Sequence, residues 1–473
     1  MKKNCKHQQE MNRRQFLERL GLGSATALSL MTITPLKTLS NSPFKGEQRS
    51  STQVNPGQEV SPRGDSEGSM TYRTQKGTGE KISLLGFGMM RLPREQELVN
   101  ELVDYALAHG INYFDTAPMY GGGSNETATG LALSRHPRDS YYVATKMSNQ
   151  NESLWSFEKS KEMYENSFRK LQVDYLDYYL LHSVGGGGLD NLRGRFIDNG
   201  LLDFLLEERK AGRIRHLGFS YHGDVKVFDW LLDNNDKYHW DFVQIQMNYL
   251  DWRYAQKRGG RRRGDANAEY LYGRLEKLGI QAVIMEPLRG GGLTNIQDDI
   301  REQLARARKD DSPARWAFRW VGSHPEVLTV LSGMNRMDHL QENLETFSPL
   351  EPCTTVDNEL LARIADKMSG LDTIGCTTCA YCMPCKYGVD IPGNFAFYNK
   401  AMVEGRLPLP DSSAPDFEEK RLAYLEAYRA AIPDKARANR CQDCGECLKK
   451  CPQQLPIPTH MNRLVEMTRK KRS

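Results

Sequence analysis

Three stretches of this chain each run from apolar residues into a reactive side chain. Ile111-Asn112-Tyr113-Phe114 leads into Asp115, and Tyr120 follows after Thr116-Ala117-Pro118-Met119. Tyr141-Tyr142-Val143-Ala144-Thr145 leads into Lys146, and Tyr175-Leu176-Asp177-Tyr178-Tyr179-Leu180-Leu181 into His182. Short apolar runs of this kind suit fully buried parallel strands. Gly121, Gly122 and Gly123 supply a loop after the first. An acid, a phenol, an amine and an imidazole at successive strand ends constrain the fold. The strands must present their C-terminal ends on one face, as the catalytic face of a parallel barrel does. A lone Tyr or His beside an apolar run is ordinarily a satisfied core residue. The weight lies in the four together.

The alternation continues downstream. Residues 82–88 read as an opening strand, and 214–220, 242–248, 281–285 and 327–331 as later ones. Helical patterns fall at 97–109, 156–171 and 201–211. Strand and helix in turn over this length predict an α/β fold, a (β/α)8 TIM barrel over residues 71–350. The glycines at 185–188 predict a loop directly after His182, and 253–267 a solvated basic insertion.

The pieces FDTAPMYGGGSNE, VATKM, YYLLHS, LGFS, IQMNYLDW, VIMEPLRGG and LSGMN resemble, in order and in strand context, those of the aldo/keto reductases. The resemblance covers roughly residues 71–350. It implies interconversion of a carbonyl compound and an alcohol, a small-molecule substrate, and an NAD(P)H site. Ser220, Gln246 and Tyr249 sit where the family holds and stacks on the nicotinamide. Pro287, Leu288 and Gly290 lie where it covers the pyrophosphate, and Ser332, Gly333 and Asn343 where the adenine end binds. Tyr221 stands where the family frequently has Asn. Residues 335–339 lack the Lys-Ser pair and well-placed Arg that grip a 2′-phosphate in many members, with Arg336 as the available substitute. NADPH, NADH and no nicotinamide at all stay open.

The four reactive residues also have a direct chemical reading. Hydride addition to a carbonyl leaves charge on oxygen and calls for a proton donor. A phenol titrates near ~10, and a neighbouring ammonium stabilises the phenolate. Tyr120 is expected as the general acid, Lys146 as that ammonium, Asp115 as its anchor, and His182 as the group orienting the carbonyl oxygen.

The chain has 473 residues, 64 basic and 60 acidic, for a net charge of +4. This length predicts two domains, and this charge gives no reason to expect a nucleic-acid partner. Residues 1–40 carry Asn12-Arg13-Arg14-Gln15-Phe16-Leu17 followed by a weakly apolar stretch. They read as a twin-arginine export signal, too short and polar for a stable membrane span, which predicts a periplasmic or cell-envelope location. Residues 41–70, rich in Ser, Gly, Pro and charge, read as a disordered linker.

Past residue 350 the composition changes. Cys5 is the only cysteine before Cys353; then come two runs. Cys376, Cys379, Cys382 and Cys385 are spaced by two residues each. Cys441, Cys444 and Cys447 are too, with Cys451-Pro452 three residues further on. The second run has the bacterial ferredoxin spacing, in which three cysteines wrap one cubane and the fourth ligates the other. Residues 351–473 are therefore expected to be a mainly helical ferredoxin-like domain with two 4Fe–4S clusters. Cys376, Cys379, Cys382 and Cys451 would hold one, and Cys441, Cys444, Cys447 and Cys385 the other. The first run departs from the pattern, with two residues before Cys385 and Lys386 after it. Structural zinc and disulfides fit this spacing less well. Helices are expected at 395–403 and 417–431, and Cys353 as a buried structural thiol.

Together these readings predict an oxidoreductase of aldo/keto reductase type with electron transfer through two clusters, serving a redox partner protein. The alternative is an electron-transfer protein that keeps the barrel as a scaffold. The sequence leaves the substrate and the oligomeric state undetermined.

Overall fold

The computed structural model describes residues 70–255, 266–408 and 416–468, all within the unit Glu59–Ser473. The twin-arginine segment, nearly all of the linker, residues 256–265 of the basic insertion and the basic tail lie outside the described residues.

Strand β1 (Tyr72–Thr74) pairs antiparallel with β2 (Lys81–Ser83). Eight parallel strands then close a barrel: β3 (Leu85–Gly88), β4 (Tyr113–Asp115), β5 (Tyr142–Met147), β6 (Leu176–Val184), β7 (Ile214–Tyr221), β8 (Phe242–Gln246), β9 (Gln281–Met285) and β10 (Val327–Ser332). The hairpin lies against the barrel's N-terminal end, where the Gln281 amide donates to Thr74 O (3.0 Å) and accepts from Lys76 N (2.9 Å).

The two-residue period of the strands decides which side chains enter the barrel. The interior is filled by Tyr113, Tyr142, Ala144, Tyr178, Leu180, Phe242, Val283 and Leu328. Phe114, Val143, Tyr179 and Leu181, of opposite parity, pack outward with the helices. Asp115, Lys146 and His182 share the parity of the interior residues on β4, β5 and β6. Each is therefore carried inward one step above the apolar filling, and all three are buried.

The surrounding helices follow the apolar spacing. Phe157–Leu171 buries Tyr164, Phe168 and Leu171, starts on Ser156, which accepts from Lys159 N, and stops at left-handed Gln172. Two segments differ from the sequence reading. Strand β8 ends at Gln246 instead of residue 248, because the Asn248 side chain accepts from Asp251 N (2.8 Å) and turns the chain. After β6, the glycine run opens into the helix Gly188–Leu192 and a π-turn, Arg193–Ile197. Buried Arg195 fastens that turn to the strand end by donating to the His182 and Ser183 carbonyls.

The apolar interior divides further along the chain than residue 350. Helix Thr355–Ser369 packs Leu360, Leu361, Ile364 and Ala365 into the barrel's core, since these residues form one helical stripe. A separate small core starts at Ile374. Helices Ile391–Val403, Phe417–Ala431 and Ile457–Thr468 build it from Phe395, Tyr398, Tyr424, Met461 and Leu464. A core of this size gains stability from cross-links or metal. Among the described residues no helix is long and apolar enough to cross a membrane.

Candidate active site at the barrel mouth

Asp115, Tyr120 and His182 line one cavity of about 560 Å³ at the C-terminal ends of the strands. The Lys146 ammonium lies beneath it, 1% exposed, and donates to Asp115 Oδ1 (2.6 Å) and Thr116 O (2.7 Å). Burial pushes the Asp115 carboxyl up and the Lys146 ammonium down, and their mutual attraction opposes both shifts. The Lys146 nitrogen sits 5.0 Å from the centre of the Tyr120 ring. That ring meets the His182 ring edge-on at 5.8 Å. Burial, with Lys146 and Arg195 close by, drives His182 well below the ordinary histidine value, so the ring is neutral. Ser148 Oγ lies 2.6 Å from His182 Nδ1. With the serine as donor, the ring proton rests on Nε2.

Tyr120 differs from expectation in one respect. Its phenol is held above the ordinary tyrosine value, first by burial, then by Tyr381, Asp115 and Glu286. Lys146 does not bring it down in this state. The phenol is therefore fully protonated at neutral pH.

The cavity continues from Asp115, Tyr120 and His182 as a groove. Ser220, Pro287, Leu288, Gly290, Ser332, Gly333 and Asn343 line it, as does Gln244. Asn343 Nδ2 donates to Ser332 Oγ (3.0 Å). Gln246 and Tyr249 are not among its lining residues. Tyr249 is buried with its hydroxyl toward Met368 Sδ (3.8 Å), so it offers no ring to a stacked ligand here. Arg336 is exposed and paired with Asp338.

The cysteines gather in two groups. Cys376, Cys379, Cys382 and Cys451 surround one small cavity. Cys385, Cys441, Cys444 and Cys447, together with Cys382, line a second of about 310 Å³. Each group draws its fourth cysteine from the other run. Backbone N–H groups two residues on point at the sulfurs: Thr378 N at Cys376 Sγ (3.4 Å), Tyr381 N at Cys379 and Asp443 N at Cys441. Thr378, Ala380 and Asp443 adopt left-handed φ of 53°, 62° and 50° to do so. Such donors stabilise thiolates. Burial meanwhile pushes the thiols up, Cys376 and Cys447 to about 11, Cys379 and Cys382 to about 12. Bare thiols stay neutral at these values. Cys353, half-buried, is pushed up to about 11 by burial and joins neither group.

Four lining residues from the cysteine-rich part escaped the sequence reading: Cys379 as a wall of the cavity, and Tyr381, Pro452 and Gln453 beside it. The cysteine-rich part thus supplies part of the active-site cavity. Arg91, after β3, donates to Thr377 O (2.7 Å) and Thr378 O (3.2 Å). Gly290, after β9, approaches so closely that a Cβ there would stand 2.3 Å from Thr377 O.

This fold and site define an oxidoreductase with a barrel active site and an attached iron–sulfur domain. Residues 84–360 match the model of the aldo/keto reductase family, and residues 375–455 that of the 4Fe-4S dicluster domain. The chain belongs to the aldo/keto reductase family. It is similar to L-galactose dehydrogenase of Arabidopsis thaliana, 25% identical over 61% of this chain and 91% of the relative. It is also similar to the uncharacterized oxidoreductase YqkF of Bacillus subtilis, 27% identical over 56% and 87%. Among solved structures, the holo form of aldo-keto reductase AKR11C1 from Bacillus halodurans shares the fold, with a TM-score of 0.51 and 24% identity over 62% of this chain and 96% of that one.

Proposed function

We propose that the protein interconverts a small carbonyl compound and its alcohol at the barrel mouth, with Tyr120 as general acid, and that its cysteines carry two 4Fe–4S clusters. The observation that carries this is the single cavity in which Asp115, Tyr120 and His182 meet and which runs on as a groove past Pro287–Gly291 to Ser332 and Asn343. A nicotinamide in that groove would supply the hydride, and the clusters would pass electrons singly. The chain's own part is to hold the carbonyl oxygen against the neutral His182 ring and to deliver the Tyr120 proton to it. The Lys146 charge, fixed by Asp115, lies under the ring that becomes phenolate. Cys376, Cys379, Cys382 and Cys451 would hold one cluster, and Cys385, Cys441, Cys444 and Cys447 the other. The exposure of Cys444 supports electron exchange with a redox partner protein at the second. Arg13-Arg14 supports export by the twin-arginine route, a path that carries folded, metal-loaded proteins to the periplasm or cell envelope.

A second reading, electron transfer with the barrel as a binding module, is favoured by Arg336 being tied to Asp338 and by Tyr249 lying outside the groove. One comparison separates the two. Anaerobically purified protein is assayed for iron, acid-labile sulfide and released nucleotide, then for reduction of small aldehydes and ketones with NADPH or NADH. Tyr120→Phe should lower turnover on the order of 100-fold or more. Full activity in that variant would remove Tyr120 from the role. Turnover by neither cofactor would leave the second reading standing.

A further inference from the structure

We propose that Cys376, Cys379, Cys382 and Cys451 form the inner of the two cysteine groups. Cys379 and Gln453 are a shared wall between it and the barrel mouth, so that an anion bound in the mouth and the redox state of that group bias each other. Cys385, Cys441, Cys444 and Cys447 form the outer group, towards solvent. The inference rests on the reading of both groups as cluster sites.

Three cavities follow one another. Cys379 and Gln453 line both the barrel-mouth cavity and the small cavity of the first group. Cys382, Ile391 and Ile457 line both that small cavity and the cavity of the second group. Among the described residues none lines both the second group's cavity and the barrel mouth. Cys444 is exposed, whereas Gln453 is buried. The order inward from solvent is therefore second group, first group, mouth. Both edges of the wall are fastened to barrel loops. At the Cys379 edge, Arg91 donates to the carbonyls of Thr377 and Thr378, and Gly290 lies against Thr377. At the Gln453 edge stands Gly223, after β7, where a Cβ would be 2.4 Å from Gln454 Nε2. Its φ of 105° suits glycine. Gln454 takes a left-handed φ of 51° and donates its N–H to Cys451 O (3.0 Å). Loops after β3, β7 and β9 thus hold the wall in place.

A wall this thin has an electrostatic consequence. Charges separated by buried protein are screened far less than charges in water. An electron from an external donor adds one negative charge on the cysteine side of Cys379 and Gln453. An anion in the mouth is then repelled and binds reduced protein more weakly than oxidised protein. Linkage makes the effect reciprocal, so the anion makes the inner group harder to reduce by the same factor. Couplings between sites are typically ~5- to 150-fold. A tenfold loss of affinity corresponds to a fall of about 59 mV in a one-electron potential. The outer group lies a further cavity away and should carry little of this coupling.

The test uses full-length, anaerobically purified protein, first assayed for iron and acid-labile sulfide. Cys376→Ser and Cys441→Ser assign the electron paramagnetic resonance signals and midpoint potentials to the inner and outer groups. The probe is acetate, a redox-inert anion small enough for the mouth, added alone and with ADP-ribose. Its affinity is measured by calorimetry in oxidised and in dithionite-reduced protein. Acetate is expected to bind reduced protein about 5- to 10-fold more weakly, and saturating acetate to lower the inner potential by the matching amount. The outer signal and potential should stay where they were. Gln453→Leu should move the inner signal and potential without any probe, and again spare the outer group, which a general loss of fold would not. Should that variant lose both signals, the wild-type titration alone decides. Equal acetate affinity in the two states, with the inner signal unmoved, would overturn the inference. So would a response confined to the outer group, or acetate that binds in neither state. Protein without iron and acid-labile sulfide fails the underlying cluster reading instead.

Discussion

Tyr381 and Tyr120 line the same cavity, although one belongs to a cysteine loop and the other to the loop after the second barrel strand. Cys379, two residues before Tyr381, is itself a wall of the cavity. The barrel mouth in this chain is therefore closed over by the domain expected to hold the iron. A barrel of this family that ended near residue 360 would lack that wall.

The Asp115–Lys146 pair is a buried ion pair at full cost. Both side chains are under 5% exposed, so solvent screening offers little relief. Lys146→Met should destabilise the protein by about 3–5 kcal/mol, and adding Asp115→Asn should recover part of that loss. Thermal unfolding of the three proteins checks this. A loss below about 1 kcal/mol would mean that the pair is solvated in solution.

His182 is held neutral, and the sign of its effect on stability follows. Its folded value lies below the ordinary 6.5. Below pH 6.5 the unfolded chain takes up a proton that the folded site refuses, so stability should fall as pH drops from about 6.5, the unperturbed value, towards 5. His182→Gln should flatten that slope. It should also lower kcat/KM about 10- to 100-fold without moving the acid limb of the rate profile, because the wild-type ring does not titrate there. Denaturation midpoints and kcat/KM across pH 5 to 8 decide both points.

Gly290 has φ 66° and no room for a side chain. Gly290→Ala places a methyl against a backbone carbonyl that cannot swing away, so the loop at Thr377 must shift. The expected cost is about 2–3 kcal/mol, and turnover should fall as well, because the loop that holds Thr377 also carries Tyr381 into the cavity. Unfolding and steady-state rates measured together check this. A destabilised variant with wild-type turnover would show that Tyr381 keeps its place when Thr377 moves.

Cys451 stands with Cys376, Cys379 and Cys382, not with its own run. Cys451→Ala should reduce iron and acid-labile sulfide by about half and leave the resonance signal of the other group. Protease sensitivity should rise across residues 370–460 and stay low in the barrel. Selective loss of the cluster at Cys441, Cys444 and Cys447 would show that each run binds its own.

The sequence alone determined the barrel, the parity that turns Asp115, Lys146 and His182 inward, and the two cysteine runs with their crossed fourth members. These are local signals: a two-residue period, a fixed spacing, an apolar run ending in one polar side chain. It did not determine that Tyr249 turns away from the groove towards Met368, because that depends on where helix Thr355–Ser369 packs. Nor did it place Tyr381 in the cavity with Tyr120. Nothing in the spacing of Cys379 and Cys382 says which foreign surface the residue between them meets. That is settled by the docking of two separately built cores, through Arg91, Gly290 and the carbonyls of Thr377 and Thr378. Contacts between residues so far apart in the chain leave no periodicity to read, and only the folded packing brings the two phenols together.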